Sequence, residues 1–252
     1  MARSIPISII LLSILCPSAT WPVASDAPRW RVRITVSSRE ALNHPKPVAI
    51  EDLARLSAPP NVAKLDADYA KTRIPAFPNP YKLKEGDIVR MTGWVNSVAA
   101  EAGGAYLLSL SPGQAQGGVC VLAEIPDPDR LSREAENVFA SPDPAVKEAT
   151  PLTPLYRDAR RTVVGSLLED APPQDGKSVA IAPTAVSVVG QLFYAGEPLP
   201  TVAGCRSTAA WEIAPVTEFR VARPGAAPSP AANNGSKAPG GAAQPPRGVG
   251  AR

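Results

Sequence analysis

Acidic residues occur in four close pairs, the arrangement that general acid/base catalysis by carboxylates uses. The pairs are Glu85 with Asp87, Asp127 with Asp129, Glu169 with Asp170, and Glu212 with Glu218. We expect the first three to be helix caps or solvated loop charges. Glu212 and Glu218 share one face of a predicted strand, but six residues of strand separate them by about 20 Å. That distance is too long for a glycosidase pair.

Other catalytic side chains are scarce in the sequence. The single histidine, His44, lies in the turn-like NHPKP. With one histidine and no close Cys/His pair, the chain lacks the four N/S ligands of a zinc site. It also lacks a GxSxG motif, a calcium-loop spacing and a phosphate-binding glycine loop. The sequence therefore predicts no metal and no cofactor, and favours a protein that is not an enzyme.

The first 24 residues have the layout of a secretory signal. Arg3 precedes an apolar run from Ile5 to Leu15, and small residues follow up to a cleavage site after Ala24. The run is too short to cross a membrane, and no later segment reaches that length. Cys16 would be a lipidation site, but Leu15 stands where such sites want a small residue. We expect an exported protein, periplasmic or secreted, with signal removal favoured over lipidation.

Export changes what the remaining cysteines are expected to do. Signal removal leaves Cys120 and Cys205, and disulfides persist outside the reducing cytosol. A bond between them would close a loop of roughly 85 residues and stabilise the fold by about 4 to 5 kcal/mol in the entropic model. The alternative is two buried free thiols.

Composition divides the chain into four parts. Residues 25–81 are predicted as a Pro-rich N-terminal arm with one short strand in RWRVRITV, where apolar residues alternate with polar ones up to Val36; the alternative is a segment ordered by docking. The arm also holds a brief helix from Ile50 to Leu56. Residues 82–223 form the folded domain, and residues 224–252, rich in Pro, Gly and Ala, are predicted to be a disordered tail.

The folded domain follows the order β-β-β-α-α-β-β. Period-2 alternation predicts strands in GDIVRMTGWVNSVAA, AYLLSL, GGVCVLAEIP, SVAIAPTAVSVVGQLFY and WEIAPVTEFRVA. Between the third and fourth strands, two helices are predicted, one capped by Asp127 or Asp129 and one from about Pro154 to Leu168. This order is that of an OB-fold-like five-stranded barrel with a helical insert, mainly β. An open α+β sheet is the alternative. In the barrel the third and fifth strands pair, which brings Cys120 near Cys205.

A binding surface is predicted on the strand faces that point away from the core. Its members are the outward aromatic, basic and polar residues Arg90, Trp94, Gln191, Phe193, Glu212 and Arg220. The net charge of +3 is too weak to recruit nucleic acid strongly, so that partner is not favoured. The alternative is that the N-terminal arm or the helices cover Trp94 and Phe193.

Three segments resemble a family of exported bacterial proteins of unknown function, over roughly residues 85–221. GDIVRMTGWVNSVAAEAGGAYLLSL is similar to GDxVxVTGWxxxVxxExDGDYHIxL, VVGQLFY to VxGxLFYD, and WEIAPVT to WEIHPVT. The matched residues are Gly86, Asp87, Val89, Thr92, Gly93, Trp94, Glu101, Tyr106, Gly190, Leu192, Phe193, Tyr194, Trp211, Glu212, Ile213, Pro215, Val216 and Thr217. The chain departs where the pattern has DYHI, which is Ala105 to Leu108 here, and where it has histidine in place of Ala214. The histidines that the resemblance offers as acid/base or metal candidates are thus absent.

These observations favour an exported, non-catalytic binding module for an extended ligand or an envelope protein. Two alternatives stay open. One is a hydrolase-like or nuclease-like enzyme that uses carboxylates and a divalent ion. The other is an envelope scaffold whose tail spaces the domain from its surroundings.

Overall fold

A computed structural model describes residues 29–60, 62, 69, 71–101, 103–115, 118–136, 143–196 and 210–222. The predicted signal segment, Cys16, Cys205 and the predicted tail lie outside the described residues. None of the described helices is long and apolar enough to cross a membrane.

Five strands close into a mixed β-barrel, as the sequence predicts. They are β2 (Ile88–Ala100), β3 (Tyr106–Ser111), β4 (Val121–Ile125), β5 (Ser178–Tyr194) and β6 (Trp211–Val221), after a two-residue β1 (Lys46–Pro47). The order is β2-β3-β4-β6-β5, and β5 pairs again with β2 to close the barrel. β4 and β6 are parallel, with Ala123 opposite Ile213. The predicted pairing of the third and fifth strands is therefore confirmed.

Among the described residues, five α-helices accompany the barrel. They are α1 (Trp30–Arg33), α2 (Ile50–Ala54), α3 (Pro128–Ala135), α4 (Pro144–Ala149) and α5 (Thr153–Leu167). Asp127 and Asp143 cap α3 and α4, each accepting a backbone N–H two residues on, with proline in the first helical position. α2, α3 and α5 match predicted helices, whereas α4 lies in a stretch for which no helix was predicted.

The predicted strand in RWRVRITV is wrong. Residues 30–33 form α1, and Arg29 precedes it in the left-handed conformation, with φ 57°. Alternation over so few residues does not separate a strand from a helical turn, and here contacts with the barrel decide. Val32 packs with Phe193 and Ala214, while Ile34 and Val36 join the main core. The segment is thus docked on the barrel and not exposed.

The inward stripe of α5 is predicted to hold Leu155, Ala159, Val163 and Leu167; Ala159 and Val163 are buried as predicted, but the first turn differs. Leu155, expected on the buried stripe, is 37% exposed, and Tyr156 is fully buried in its place. The Tyr156 hydroxyl donates to the Ile34 carbonyl at 2.9 Å, which ties the helix to the chain that leaves α1. This tertiary hydrogen bond satisfies the buried phenol and sets the rotation of the helix.

Two glycines let strands approach closely. A Cβ at Gly93 would collide with Ile50 Cδ1 and the Ser111 carbonyl, so glycine is needed for close packing there. The register of β2 shifts further along the strand, between Val95 and Ser97. Gly190 accommodates a bulge of β6, since an added Cβ would lie 2.5 Å from the Pro215 carbonyl oxygen.

The β5–β6 ladder ends for a chemical reason. Ala222 N–H donates to the Ala185 carbonyl at 2.8 Å. In an antiparallel ladder the next hydrogen-bonded pair would join residues 183 and 224. Both are proline in the sequence, and neither carries the N–H that such a pair uses.

Candidate functional site

Strand register defines two faces of the barrel sheet. One carries the large apolar core, with Leu108, Ala123 and Ile213 among its members. Directly opposed residues share a face, so the other face is defined by three sets of partners. These are Ser97 with Ser109, Ala99 with Leu107 and Glu124, and Phe193 with Glu212. We call it the second face.

The N-terminal segment, residues 29–37, lies against part of the second face. Gln191 is fully buried there and serves as its central contact. Its side-chain carbonyl accepts from the Ser37 N–H at 2.7 Å, and its amide donates to the Thr35 carbonyl at 2.9 Å. A buried amide is thus satisfied by backbone groups of this segment.

Arg29 anchors the start of the segment. Its two terminal nitrogens donate to the two carboxylate oxygens of Glu85 at 2.7 and 2.6 Å, with both side chains fully buried. Glu85 also accepts the backbone N–H groups of Ile74 and Tyr194, at 2.6 and 3.0 Å. The buried ion pair therefore has the additional hydrogen bonds that buried charges need.

Arg33 lies between two carboxylates on neighbouring strands. Its Nη2 is 2.5 Å from Glu124 Oε2 and 2.7 Å from Glu212 Oε1. These are ion-pair contacts whose angles fall outside the hydrogen-bond range. The Phe193 ring adds cation–π contacts, with its centroid 5.0 Å from Arg29 Cζ and 5.4 Å from Arg33 Cζ.

A third carboxylate, Glu101, makes the cluster richer in acid than in base. Burial, with the nearby Glu124, raises the pKa of Glu101 to about 8. Burial likewise raises the pKa of Glu212 to about 7 and also that of Glu124, against the opposing effect of Arg33. Burial disfavours the Arg33 charge, but the carboxylates outweigh it and hold the pKa of Arg33 above its usual range. The cluster therefore retains a proton at neutral pH.

Several polar atoms of this region have no hydrogen-bond partner within the described part of the chain. They are Arg33 Nε, Glu212 Oε2, Asn96 Oδ1, Ser97 Oγ and Ser109 Oγ. A buried polar atom without a partner costs free energy. The cluster consequently has unused hydrogen-bonding capacity on the second face. No group of three or more His, Cys, Asp or Glu among the described residues is arranged to hold a metal ion.

The six residues predicted as a binding surface divide into two sets. Gln191, Phe193 and Glu212 are buried, and the N-terminal segment contacts all three. Arg90 and Arg220 are exposed and Trp94 is half-buried. The N-terminal segment thus covers Gln191, Phe193 and Glu212 and leaves the other three residues accessible.

The accessible half is continuous across three strands. In the register, Arg90 pairs with Val189 and Val189 with Glu218, Thr92 pairs with Ser187 and Ser187 with Arg220, and Trp94 pairs with Ala185. We call the residues Arg90, Thr92, Trp94, Ser187, Glu218 and Arg220 the exposed patch. Within it Arg220 Nε contacts Glu218 Oε1 at 2.9 Å.

Both positions where the resembling family has histidine lie on the second face. Leu107 is the register partner of Glu124. Ala214 packs with Phe193 and Val32. Both are fully buried. Leu107 and Ala214 thus place apolar side chains beside the carboxylate cluster, at the two positions where the resembling pattern has histidine.

Sequence reasoning did not find Arg29, Arg33, Glu85, Glu101 or Glu124 as members of this cluster. One signal was available, because Glu124 interrupts the otherwise apolar strand VLAEI and a charge in such a strand needs a partner. The alternation in RWRVR gives no partner for its arginines, and only the docking of the segment shows which carboxylates they contact.

Comparison with known proteins finds no protein-family model that matches this chain and no curated protein with significant sequence similarity to it.

Proposed function

We propose that the protein is an exported, non-catalytic binding module that holds an extended ligand or an envelope protein through the exposed patch. The observation that carries this proposal is that Arg90 and Trp94 on β2 and Arg220 on β6 lie on one face of three successively paired strands of an OB-like barrel.

The patch has the composition of a binding surface. Tryptophan and arginine dominate the binding energy of interfaces, because both combine a large flat contact area with hydrogen-bond donors. Two arginines and one glutamate leave the patch with one positive charge, which favours acidic groups on the ligand. Three strands span about 10 Å and the five residues from Arg90 to Trp94 about 13 Å. These dimensions suit a short stretch of an extended chain.

The covered half of the predicted surface is assigned no ligand in this proposal. Gln191, Phe193 and Glu212 already contact the N-terminal segment through hydrogen bonds, apolar packing and an ion pair. A ligand would have to displace two buried arginines to reach them. Docking of the segment thus confines binding to Arg90, Trp94, Arg220 and their neighbours.

Export and the disulfide belong to the same proposal. Export rests on the signal-like layout of residues 1–24. The disulfide is supported by the position of Cys120, which is 2% exposed just before β4. Because β4 pairs in parallel with β6, the connection that contains residue 205 leads to the strand beside Cys120. We propose that Cys120 and Cys205 are joined in the exported protein.

The enzyme hypothesis has less support from the geometry. Its carboxylates would be Glu101, Glu124 and Glu212, and all three are at most 7% exposed. A general acid or base must come within hydrogen-bond reach of its substrate. The scaffold hypothesis concerns the tail, which lies outside the described residues.

Site-specific cross-linking tests the exposed patch. A photoreactive amino acid replaces Trp94 in one sample and Leu155, an exposed residue on α5, in the control sample. After irradiation in the cell envelope, the expected result is a discrete adduct from position 94 that position 155 does not form. The triple variant R90A/W94A/R220A should lose the same partner in a pull-down. Equal retention by the triple variant and the wild-type protein would refute the assignment.

A further inference from the structure

A cavity of about 450 Å³ opens beside the beginning of β2. Four basic side chains are among its lining residues: His44, Lys46, Arg73 and Lys84. They come from three separate stretches of the chain, residues 44–46, 71–76 and 84–88. Folding therefore brings together basic residues that are distant in the sequence. His44, which the sequence predicts as a turn residue, is one of them.

The carboxylates that line the cavity already have partners. Asp87 Oδ2 contacts Lys46 Nζ at 2.8 Å and accepts the Lys84 backbone N–H at 3.1 Å. Glu85 forms the buried two-point ion pair with Arg29. Of the two acids, only Asp87 offsets the cationic lining. Three cations, Lys46, Arg73 and Lys84, against one carboxylate leave two positive charges.

Arg73 is the least exposed of these three cations and makes no ion pair with a described carboxylate. Its Nε donates to Gln191 Oε1 at 3.2 Å, and its Nη2 donates to the carbonyl and hydroxyl oxygens of Thr35, both at 3.1 Å. Within the described part of the chain its Nη1 has no hydrogen-bond partner, and no carboxylate lies within 4.0 Å of the guanidinium. Burial lowers the pKa of Arg73, against the opposing effect of the more distant Glu148 and Glu85 carboxylates. A half-buried guanidinium without a carboxylate favours an anion beside it.

Gly86 shapes the wall of the cavity. Its φ is +92°, a conformation that other residues rarely adopt, and an added Cβ would lie 2.8 Å from Arg73 Cδ and 3.2 Å from Ser37 Cβ. The missing side chain allows the stem of Arg73 to pack against backbone. Glycine here therefore holds the arginine at the cavity.

We propose that this cavity binds a small tetrahedral oxyanion, phosphate or sulfate. Charged donors come from Arg73 Nη1, Lys84 Nζ and Lys46 Nζ, on three separate stretches of the chain, and His44 also lines the cavity. A tetrahedral dianion presents acceptors on all sides and matches the two uncompensated positive charges. Its binding adds a function to a region that the exposed patch does not use.

Isothermal titration with inorganic phosphate tests the proposal, with chloride used to hold the ionic strength constant. Saturable binding of one phosphate per chain is expected, together with a rise in Tm. Lys84→Ala should bind at least fivefold more weakly. The Lys84 ammonium makes no ion pair or hydrogen bond to other described residues, so this variant should fold. Arg73→Lys keeps the charge, removes the planar fork of donors and should weaken binding about tenfold.

Lys177→Ala provides the matched control. Lys177 is an exposed lysine beside Ala100, at the opposite end of β2 from the cavity, and its replacement should leave phosphate affinity unchanged. Sulfate should bind in the same place, and succinate should bind more weakly than either ion. Absence of saturable phosphate binding overturns the proposal. So does wild-type affinity in both Lys84→Ala and Arg73→Lys, or tighter binding of succinate than of phosphate.

Discussion

The buried carboxylate Glu101 makes the stability of the fold depend on pH in an unusual direction. Its pKa is raised from 4.5 to about 8, because it is buried and lies near Glu124. Between these values the folded protein keeps the Glu101 proton, whereas the unfolded chain releases it. The folded state then binds more protons, so the free energy of unfolding falls as pH rises. The stabilisation that the protonated Glu101 gives the folded state is fully present below pH 4.5 and is lost as pH rises to about 8.

One proton changes the free energy of unfolding by about 1.4 kcal/mol per pH unit. From pH 5 to pH 7, Glu101 alone should therefore lower stability by about 3 kcal/mol. Glu101 is only 7% exposed, so solvent screening reduces this little. Glu212, with its pKa raised to about 7, acts in the same direction up to that pH.

Glu101→Gln tests the assignment because glutamine resembles the protonated carboxyl group and does not titrate. The variant should match the wild-type protein near pH 5 and be more stable at pH 8. Its stability should fall less steeply with pH, by about 1.4 kcal/mol per unit. Glu101→Gln is expected to stabilise the protein at pH 8 because burial disfavours the charged carboxylate in the folded state and glutamine carries no charge.

Urea unfolding at pH 5, 6, 7 and 8 provides the measurement, with the fluorescence of the buried Trp211 as the probe. Glu136→Gln, at an exposed position after α3, is the control and should follow the wild-type curve. Parallel pH curves for the wild-type protein and Glu101→Gln would show that Glu101 is ionised in the folded state. A variant less stable than wild type at pH 8 would contradict the reasoning equally.

Two further predictions concern the attachment of the arm and the cysteines. Glu85→Gln should destabilise the fold by about 3 to 5 kcal/mol in urea unfolding, because it leaves the Arg29 charge buried without a counter-ion. The control Glu169→Gln, at the surface, should cost almost nothing. A cost of less than about 1 kcal/mol for Glu85→Gln would contradict the burial of this ion pair. The exported protein should show no free thiol at Cys120 or Cys205 when denatured without reductant, and full labelling of both would exclude the proposed disulfide.

The barrel could be predicted because its signals are local. Alternation in GDIVRMTGWV and VVGQLFY assigns residues to one face or the other, and this assignment agrees with the observed register. The pairing of β4 with β6 followed from the order of the elements. The bulges could not be predicted in this way. The pairing of Gly190 with Val216 shifts the register of β6 and places Val216 in the core. Such shifts depend on contacts across strands that the sequence of one strand does not contain.

The candidate site shows where local patterns fail. The six predicted surface residues do share one side of the sheet, but which of them are accessible depends on where residues 29–37 dock. The arginines of RWRVR alternate like residues of a solvated strand, whereas Arg33 is 5% exposed between two glutamates. Its partners are about 90 and 180 residues away along the chain. Periodicity carries no information on that scale.

The arm and the barrel should therefore be regarded as one folding unit. Without residues 29–37, Glu124 and Glu212 lose Arg33, and Glu85 loses Arg29, so these three buried carboxylates would each require solvation or neutralisation. Isolated buried charges cost several kcal/mol each, which is comparable with the whole stability of a domain this size. The same contacts close the part of the sheet that holds Phe193 and Gln191. A ligand that approaches the sheet is left with Arg90, Trp94 and Arg220, because the chain itself occupies the rest.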